Sequence, residues 1–203
     1  FTAPELQRFT ASVLRALVSP EDDAGTVAAA MVAADAAGVG THGVARLPQY
    51  ADALRRGEVN AKAQPRVVHR SGGVALLDGD NGLGHLVMAR AVALAGELAA
   101  EHGIAWIGVR RSNHAGAGGV YVDQLARRGM AAIYGAVSGV NVMAPDGGRE
   151  PMLGTNPLAV AVPAPRGLLE AKIGAKSDGT LTTLKARVLF DAGAFPSGPV
   201  IGA

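Results

Sequence analysis

Three side chains able to bind and protonate an organic acid recur at four-residue spacing near the N-terminus: His42, Arg46 and Tyr50. A helix beginning at Thr41 would place all three on one face. The paired N–H groups of arginine match a carboxylate, and imidazole can transfer a proton near pH 7. The spacing therefore predicts a site for a carboxylate-bearing substrate. The alternative is a solvated arginine, a tyrosine ring at the core edge and a capping histidine.

A second candidate group lies in the segment from Arg111 to Gly119, which contains His114 followed by five glycines and alanines. We expect this segment to connect a strand to a helix. Backbone amides at a helix N-terminus bind anions, and α/β sheets bind ligands at the carboxyl ends of their strands. The glycine spacing differs from the dinucleotide fingerprint G-x-G-x-x-G. A turn that needs glycine for backbone reasons is an equally good interpretation.

A third candidate group lies in the aperiodic stretch from Ser138 to Pro157, which also contains Asn141, Thr155 and Asn156. Loops of this length in compact domains are usually functional or disordered. Small polar side chains and accessible amides suit contacts with ribose, amide or phosphate groups. They also suit an ordinary turn.

The composition limits the classes of function. Hydrophobic residues make up 49% and charged residues 18% of the 203 residues, which is typical of a globular protein. The net charge is +2 and no long basic run occurs, so nucleic acid is not an expected partner. The absence of cysteine excludes disulfides, thiolate catalysis and cysteine-bound metal centres. A reducing compartment is compatible with this composition.

The five histidines do not show metal-binding spacing, so we expect no metal site. We interpret His69, His85 and His102 as surface or strand residues. The apolar stretch 24–37 is short and is interrupted by Asp35, so we expect a soluble protein without a membrane span.

Hydrophobic periodicity predicts alternating helices and strands. The first helix begins near Pro4, a second begins at Ser19-Pro20 and ends at Gly38, and the helix from Thr41 runs to Gly57 with a kink or restart at Pro48. The later elements are a hairpin over 67–77, a helix over 85–101, a strand over 104–109, a helix over 120–127, and strands over 130–137 and 158–162.

Four motifs in this order resemble the malate/L-lactate dehydrogenase family, a group of non-Rossmann 2-hydroxy-acid dehydrogenases that includes ureidoglycolate and sulfolactate dehydrogenases. They are Thr-His-Gly-Val-Ala-Arg-Leu-Pro-Gln-Tyr at 41–50, Asp-Gly-Asp-Asn-Gly-Leu-Gly at 78–84, Ser-Asn-His-Ala-Gly at 112–116 and Gly-Thr-Asn-Pro at 154–157. The resemblance covers residues 4–163 and about the N-terminal half of such a subunit. With the predicted elements, it implies an α/β fold whose N-terminal helices pack on a mixed, non-Rossmann sheet.

The resemblance implies a cytoplasmic, homodimeric oxidoreductase that uses NAD or NADP on a small 2-hydroxy or 2-oxo acid. Arg46 would bind the substrate carboxylate, with Thr41 and Tyr50 beside it. His114 would transfer the proton, a role that His42 could share. The cofactor would contact Ser138, Gly116, Thr155 and Asn156. Gly139 stands where ureidoglycolate enzymes have an acidic residue, which disfavours that substrate.

The chain departs from the family after Pro163, where segments that complete the cofactor site are expected. Residues 171–203 instead resemble a segment of molybdenum hydroxylase large subunits, and Asp178-Gly179 predicts a hairpin there. We therefore divide the chain into a helical region 1–62, a partial cofactor-binding region 63–163, a linker 164–170 and a β-hairpin tail 171–203. The alternatives are a truncated or recombined non-catalytic product that binds a ligand weakly or serves as an interaction module, and a molybdenum hydroxylase fragment.

Overall fold

The structure is a computed structural model that describes residues 1–17, 21–139, 142–163, 167–175 and 181–190. It divides into two compact units, Phe1–Val162 and Pro163–Ala203. The first unit contains the predicted region 1–62 and all but the last residue of the predicted region 63–163. The predicted helix cap at Ser19-Pro20, the side chain of Asn141 and the turn at Asp178-Gly179 lie outside the described residues.

The first unit begins with helices α1 (Ala3–Arg15) and α2 (Glu21–Ala36). Glu5 caps the start of α1, since its carboxylate accepts hydrogen bonds from the Thr2 backbone N–H and hydroxyl, each at 2.8 Å. Beyond the end of α2, Gly38 adopts a left-handed conformation, as the sequence predicts. Leu14, Val27 and Met31 are fully buried and form the core between these helices.

The continuous helix predicted from Thr41 to Gly57 is wrong. Gly40–His42 and Val44–Arg46 are separate single turns of 3₁₀ helix, and helix α3 begins only at Leu47 and ends at Arg55. Gly43 has an extended backbone between the two turns, which breaks the helical path. Pro48 lies in the first turn of α3, where its missing N–H costs nothing, so the predicted restart is confirmed.

A mixed three-stranded sheet follows, as predicted. Strands β1 (Arg66–Ser71) and β2 (Val74–Gly82) form the expected antiparallel hairpin, and β2 pairs in parallel with β3 (Trp106–Ser112). Helix α4 (Gly84–His102) connects the parallel strands and ends at the left-handed Gly103. Its buried Val87 and Ala91 pack on Leu77 of β2, while α2 packs against the same helix.

The remaining elements of the first unit form a smaller layer. Helix α5 (Gly118–Ala126) packs on an antiparallel pair of strands, β4 (Ala132–Gly135) and β5 (Leu158–Ala161). The strand–helix–strand order predicted for this part is confirmed, but β3 and β4 belong to different sheets. Within the described residues of 136–157, a bridge between Met143 and Leu153 holds the two arms of the connection together.

The second unit contains an antiparallel pair of strands, β6 (Gly167–Ala175) and β7 (Leu181–Phe190). The predicted tail hairpin is therefore present, although β6 begins inside the segment expected as a linker. Among the described helices of the chain, none is long and apolar enough to span a bilayer.

Candidate active site

The turn that carries His42 is fixed to helix α2 by one carboxylate. Asp35 accepts a hydrogen bond from the Val44 backbone N–H at 2.9 Å, and Gly43 lies against the same carboxylate. A Cβ at position 43 would collide with it, so this close approach requires glycine. The sequence shows Asp35 only as an interruption of an alanine-rich helix. Its position a few residues before Gly-Thr-His-Gly is the signal that could have identified this role.

Arg46 is oriented by two hydrogen bonds. Its Nε donates to the Thr41 carbonyl and its Nη1 donates to Oε1 of Gln49, each at 2.8 Å. In the described part of the chain, Nη2 has no such partner. The half-buried guanidinium therefore retains donor capacity for an external oxygen.

Tyr50 and His114 form the central pair of the site, although 64 positions separate them in the sequence. The Tyr50 hydroxyl lies 2.7 Å from Nδ1 of His114. Burial raises the pKa of Tyr50 to about 12, against an opposing effect of the Arg46 charge, so the phenol is protonated at neutral pH. The Gly116 backbone N–H also points at Nδ1, at 3.4 Å. Two donors at Nδ1 make it an acceptor, so the neutral His114 ring carries its proton on Nε2.

The surroundings of His114 favour its neutral form. Burial lowers the pKa of His114, and the charges of Arg46 and His42 lower it further. The His42 ring stacks on His114 with centroids 5.4 Å apart, and Nδ1 of His42 lies 2.9 Å from the Thr41 hydroxyl. His114 is nevertheless exposed to solvent. The pair can therefore exchange a proton with a molecule that binds beside His114.

The interpretation of His85 as a surface or strand residue is wrong. His85 lies in the first turn of α4 and is 1% exposed, and its ring meets the Tyr50 ring edge-on with centroids 5.1 Å apart. Burial and the charges of His114 and His42 lower its pKa to about 3, so His85 is neutral at physiological pH. His85 precedes the buried Val92 by seven residues, which places both side chains on the core face of α4. This spacing is the feature of the sequence that could have predicted the burial of His85. By contrast, His69 and His102 are exposed, as predicted.

The segment before His114 is anchored by the motif at 78–84. The side-chain amide of Asn113 donates to the Asn81 carbonyl, to Oδ1 of Asn81 and to the Gly82 carbonyl, each at 3.0 Å. Asp80 and Asn81 both have left-handed backbone conformations, which bend the end of β2 toward Asn113. Gly84 then lies against the carbonyls of residues 113 and 114, where a Cβ would collide. This motif therefore sets the position of His114.

Three of the four predicted cofactor residues, Ser138, Thr155 and Asn156, form a separate cluster, whereas Gly116 lies beside His114. Asn156 accepts a hydrogen bond from the Ser138 backbone N–H at 3.0 Å, and the Ser138 hydroxyl oxygen accepts from the Asn156 N–H at 3.2 Å and from the Thr155 hydroxyl at 3.1 Å. Both acceptor positions of that oxygen are thus occupied, and its own O–H remains to donate to a bound molecule. Ser138 is half-buried and the other two residues are exposed.

The structure thus brings the sequence-predicted residues together in two groups. Thr41, His42, Arg46, Tyr50, His114 and Gly116 form the first group, and Ser138, Thr155 and Asn156 form the second. Helix α5 connects the two groups through Tyr121. The Tyr121 hydroxyl donates a hydrogen bond to the Ala115 carbonyl, and the centroid of the Tyr121 ring lies 5.9 Å from that of Tyr134 on β4. Among the described residues, no hydrogen bond joins the two groups.

Residues 1–169 match the sequence model of the malate/L-lactate dehydrogenase family. The chain belongs to this family. It is 41% identical to a malate dehydrogenase from Pyrococcus abyssi over 78% of this chain and 44% of that protein. It is 38% identical to an L-sulfolactate dehydrogenase from Methanothermobacter thermautotrophicus over 76% of this chain and 45% of that protein.

Solved structures agree with the family assignment. The malate dehydrogenase from Pyrococcus horikoshii OT3 superimposes with a TM-score of 0.76 and 36% identity, covering 96% of this chain and 51% of that one.

A further sequence relative, from Chromohalobacter salexigens, is 37% identical over 78% of this chain and 47% of its own length, and it is named as an NADP⁺-dependent (2R)-3-sulfolactate dehydrogenase.

The family match contains both groups of site residues. The chain spans about half the length of the relatives it matches. The resemblance of residues 171–203 to molybdenum hydroxylases stays a prediction, since the family match ends at residue 169.

Proposed function

We propose that this protein is a nicotinamide-dependent oxidoreductase that interconverts a small 2-hydroxy acid and its 2-oxo acid. The observation that supports this most directly is the Tyr50–His114 hydrogen bond beside the partly free guanidinium of Arg46. One group can move a proton and the other can bind a carboxylate, and a 2-oxo acid needs both. Malate and sulfolactate, which are named for the relatives, are the first substrates to test.

Arg46 binds the substrate carboxylate in this proposal. The Nη2 group is the available donor, and an incoming carboxylate can also displace Gln49 from Nη1 to reach a two-point contact. A charge-assisted hydrogen bond contributes about 1.5–3 kcal/mol, or roughly 10- to 100-fold in binding. Thr41 holds Arg46 through its carbonyl and His42 through its hydroxyl, so it positions both groups.

His114 transfers the proton through Nε2, because Nδ1 faces Tyr50. Protonated His114 donates the Nε2 proton to the oxygen on C2 of the 2-oxo acid as that oxygen gains charge. The Tyr50 hydroxyl then accepts from Nδ1–H, since a phenol can both donate and accept. The lowered pKa of His114 makes its protonated ring a stronger acid. In the oxidation direction Nε2 must be free to accept the hydroxyl proton of the 2-hydroxy acid, so the neutral ring then carries its proton on Nδ1 and donates it to the Tyr50 oxygen. His42, whose ring stacks on His114, shares the proton-transfer role.

NAD or NADP fits the second group of residues. The donor O–H of Ser138, together with the exposed Thr155 hydroxyl, suits the ribose, amide and phosphate groups of such a cofactor, and Gly116 joins them in the proposed pocket. The bound nicotinamide supplies or accepts the hydride. The chain's own residues orient the acid and transfer the proton.

Turnover by the full chain tests this function. Purified protein is mixed with NADH or NADPH and with oxaloacetate, sulfopyruvate or pyruvate, and the loss of reduced cofactor is followed by absorbance. We expect Arg46→Ala to raise KM for the acid by roughly 10- to 100-fold. Arg55→Ala is the matched control, because Arg55 is an exposed arginine on α3 whose partner is Asp52. Absence of turnover with every acid and both cofactors would refute the proposal.

A second candidate is a chain that binds the acid or the cofactor without catalysis. The observation that favours it is coverage of only about half of each relative. Calorimetry separates the two, because the non-catalytic candidate predicts weak malate binding that Arg46→Ala abolishes and no hydride transfer in the same preparation.

Homodimer formation and a cytoplasmic location complete the proposal. The absence of cysteine suits a reducing compartment, and the exposed apolar side chains of the first unit, Ile133 and Val160 among them, leave surface for a partner. Sedimentation equilibrium tests the first point, and fractionation of cells that express the chain tests the second.

A further inference from the structure

His85 contacts both groups that donate to Nδ1 of His114. Its ring meets the Tyr50 ring at an interplanar angle of 80°, and Tyr50 carries the hydroxyl that lies 2.7 Å from Nδ1. Nε2 of His85 also lies against Gly116, where an added Cβ would be only 2.6 Å away. The Gly116 N–H is the second donor to Nδ1.

The buried ring of His85 makes these contacts without polar partners of its own. Neither ring nitrogen has a hydrogen-bond partner in the described part of the chain, and 99% of the residue is shielded from solvent. A fully apolar residue would avoid the cost of burying those nitrogens. The ring at the first turn of α4 is therefore buried at an energetic cost.

We infer that His85 is a positioning residue: in contact with Tyr50 and Gly116, it holds the two groups that face Nδ1 of His114, so that Nε2 faces the substrate. This inference rests on the proposed role of His114 as the proton-transfer residue. Helix α4 contributes a second constraint, since Gly84 presses on the carbonyls of residues 113 and 114. The beginning of α4 thus sets both the backbone and the tautomer of His114.

Nitrogen NMR of the full chain, labelled at histidine, tests the inference without any turnover. Imidazole ¹⁵N shifts followed across pH report the tautomer and the pKa of His114. The charged or titratable groups around this ring are Arg46, His42, Tyr50 and His85. Tyr50→Phe removes one of the two donors to Nδ1 and shows how large a change in tautomer and pKa that loss produces. We expect His85→Ala to mix the two tautomers of His114 and to shift its pKa upward, in the same direction as Tyr50→Phe.

His69→Ala is the matched control, because His69 is an exposed histidine on β1 and its loss should leave His114 unchanged. His85→Gln still reaches Gly116 but offers Tyr50 no ring, so we expect an intermediate shift. A folded His85→Ala variant with the wild-type tautomer and pKa, alongside a shifted Tyr50→Phe, overturns the inference. If His85→Ala does not fold by circular dichroism, an unshifted His85→Gln overturns it equally.

Kinetics add a readout where the chain turns over. We expect His85→Ala to lower kcat on the order of 10-fold with little change in KM for the acid, since Arg46 is untouched. A chain that lacks turnover but shows the NMR shift would refute the proposed function and leave the positioning role of His85 intact.

Discussion

Substitution of Gly116 by alanine should destabilise the first unit through its contact with His85. Gly116 has φ +72°, a conformation that costs a residue with a Cβ about 1–2 kcal/mol. The new Cβ would also lie 2.6 Å from Nε2 of His85, and this ring is 1% exposed. Overpacking of this kind costs about 1–3 kcal/mol. The sum is a loss of roughly 2–5 kcal/mol in the free energy of unfolding.

Gly119→Ala is the control, three residues further along the same chain segment. Nothing lies within 4 Å of a Cβ at position 119, which is inside helix α5. Alanine should therefore stabilise this site by about 0.5–1 kcal/mol. Urea unfolding followed by far-UV circular dichroism measures both, because the described helices all lie in the first unit. Equal midpoints for the two variants would refute the steric argument.

A double-mutant cycle isolates the contact itself. In a His85→Ala background the space for the new Cβ exists, so Gly116→Ala should lose only its backbone cost. We expect a coupling energy of about 1–3 kcal/mol between the two positions. Additive effects would show that the ring and the glycine do not constrain each other.

Two further predictions concern stability and association. Hydrogen bonding from the Asp80 N–H, and then from Arg110, lowers the pKa of Asp78. The contribution of the Asp78 carboxylate to stability is therefore complete above the ordinary carboxyl pKa and is lost as the pH falls below that value. The melting temperature of Asp78→Asn should fall less steeply with acid than that of the parent protein, and parallel curves would contradict this. Ile133 and Val160 pair across β4 and β5 and are 73% and 61% exposed, so Ile133→Lys should reduce concentration-dependent association by light scattering, whereas Val67→Lys on β1 should not.

Local periodicity was sufficient to predict most elements of this fold. The hairpin β1–β2, helix α4 and its glycine end follow from alternation, helical spacing and turn chemistry within a few residues. The single helix predicted from Thr41 failed for a non-local reason. The carboxylate of Asp35 binds the chain at Gly43 and Val44, and spacing within 41–50 alone carries no information about that contact.

The site residues show the same limit. His42, Arg46 and Tyr50 do lie together, but two 3₁₀ turns and a new helix bring them there rather than one helical face. The pairing of Tyr50 with His114 depends on tertiary structure, so only the family resemblance linked those two segments. His85 was misassigned because a buried histidine without polar partners contradicts the usual preference of this residue.

The three histidines of the site share a pattern that the structure explains. Each lies within two residues of a glycine that touches another element: His42 precedes Gly43, which rests on Asp35; His85 follows Gly84, which rests on the carbonyls of residues 113 and 114; His114 is followed by Gly116, which rests on His85. A side chain at any of these glycines would separate two segments and displace the adjacent ring. The order of the ring array, His42 on His114, His114 beside Tyr50 and Tyr50 on His85, therefore depends on close contacts of these glycines with side chains or backbone of other elements. This explains why each of these motifs contains both histidine and glycine. It also predicts that uncharged substitutions at Gly43, Gly84 and Gly116 disturb the arrangement of the rings most, although these glycines do not bind the substrate.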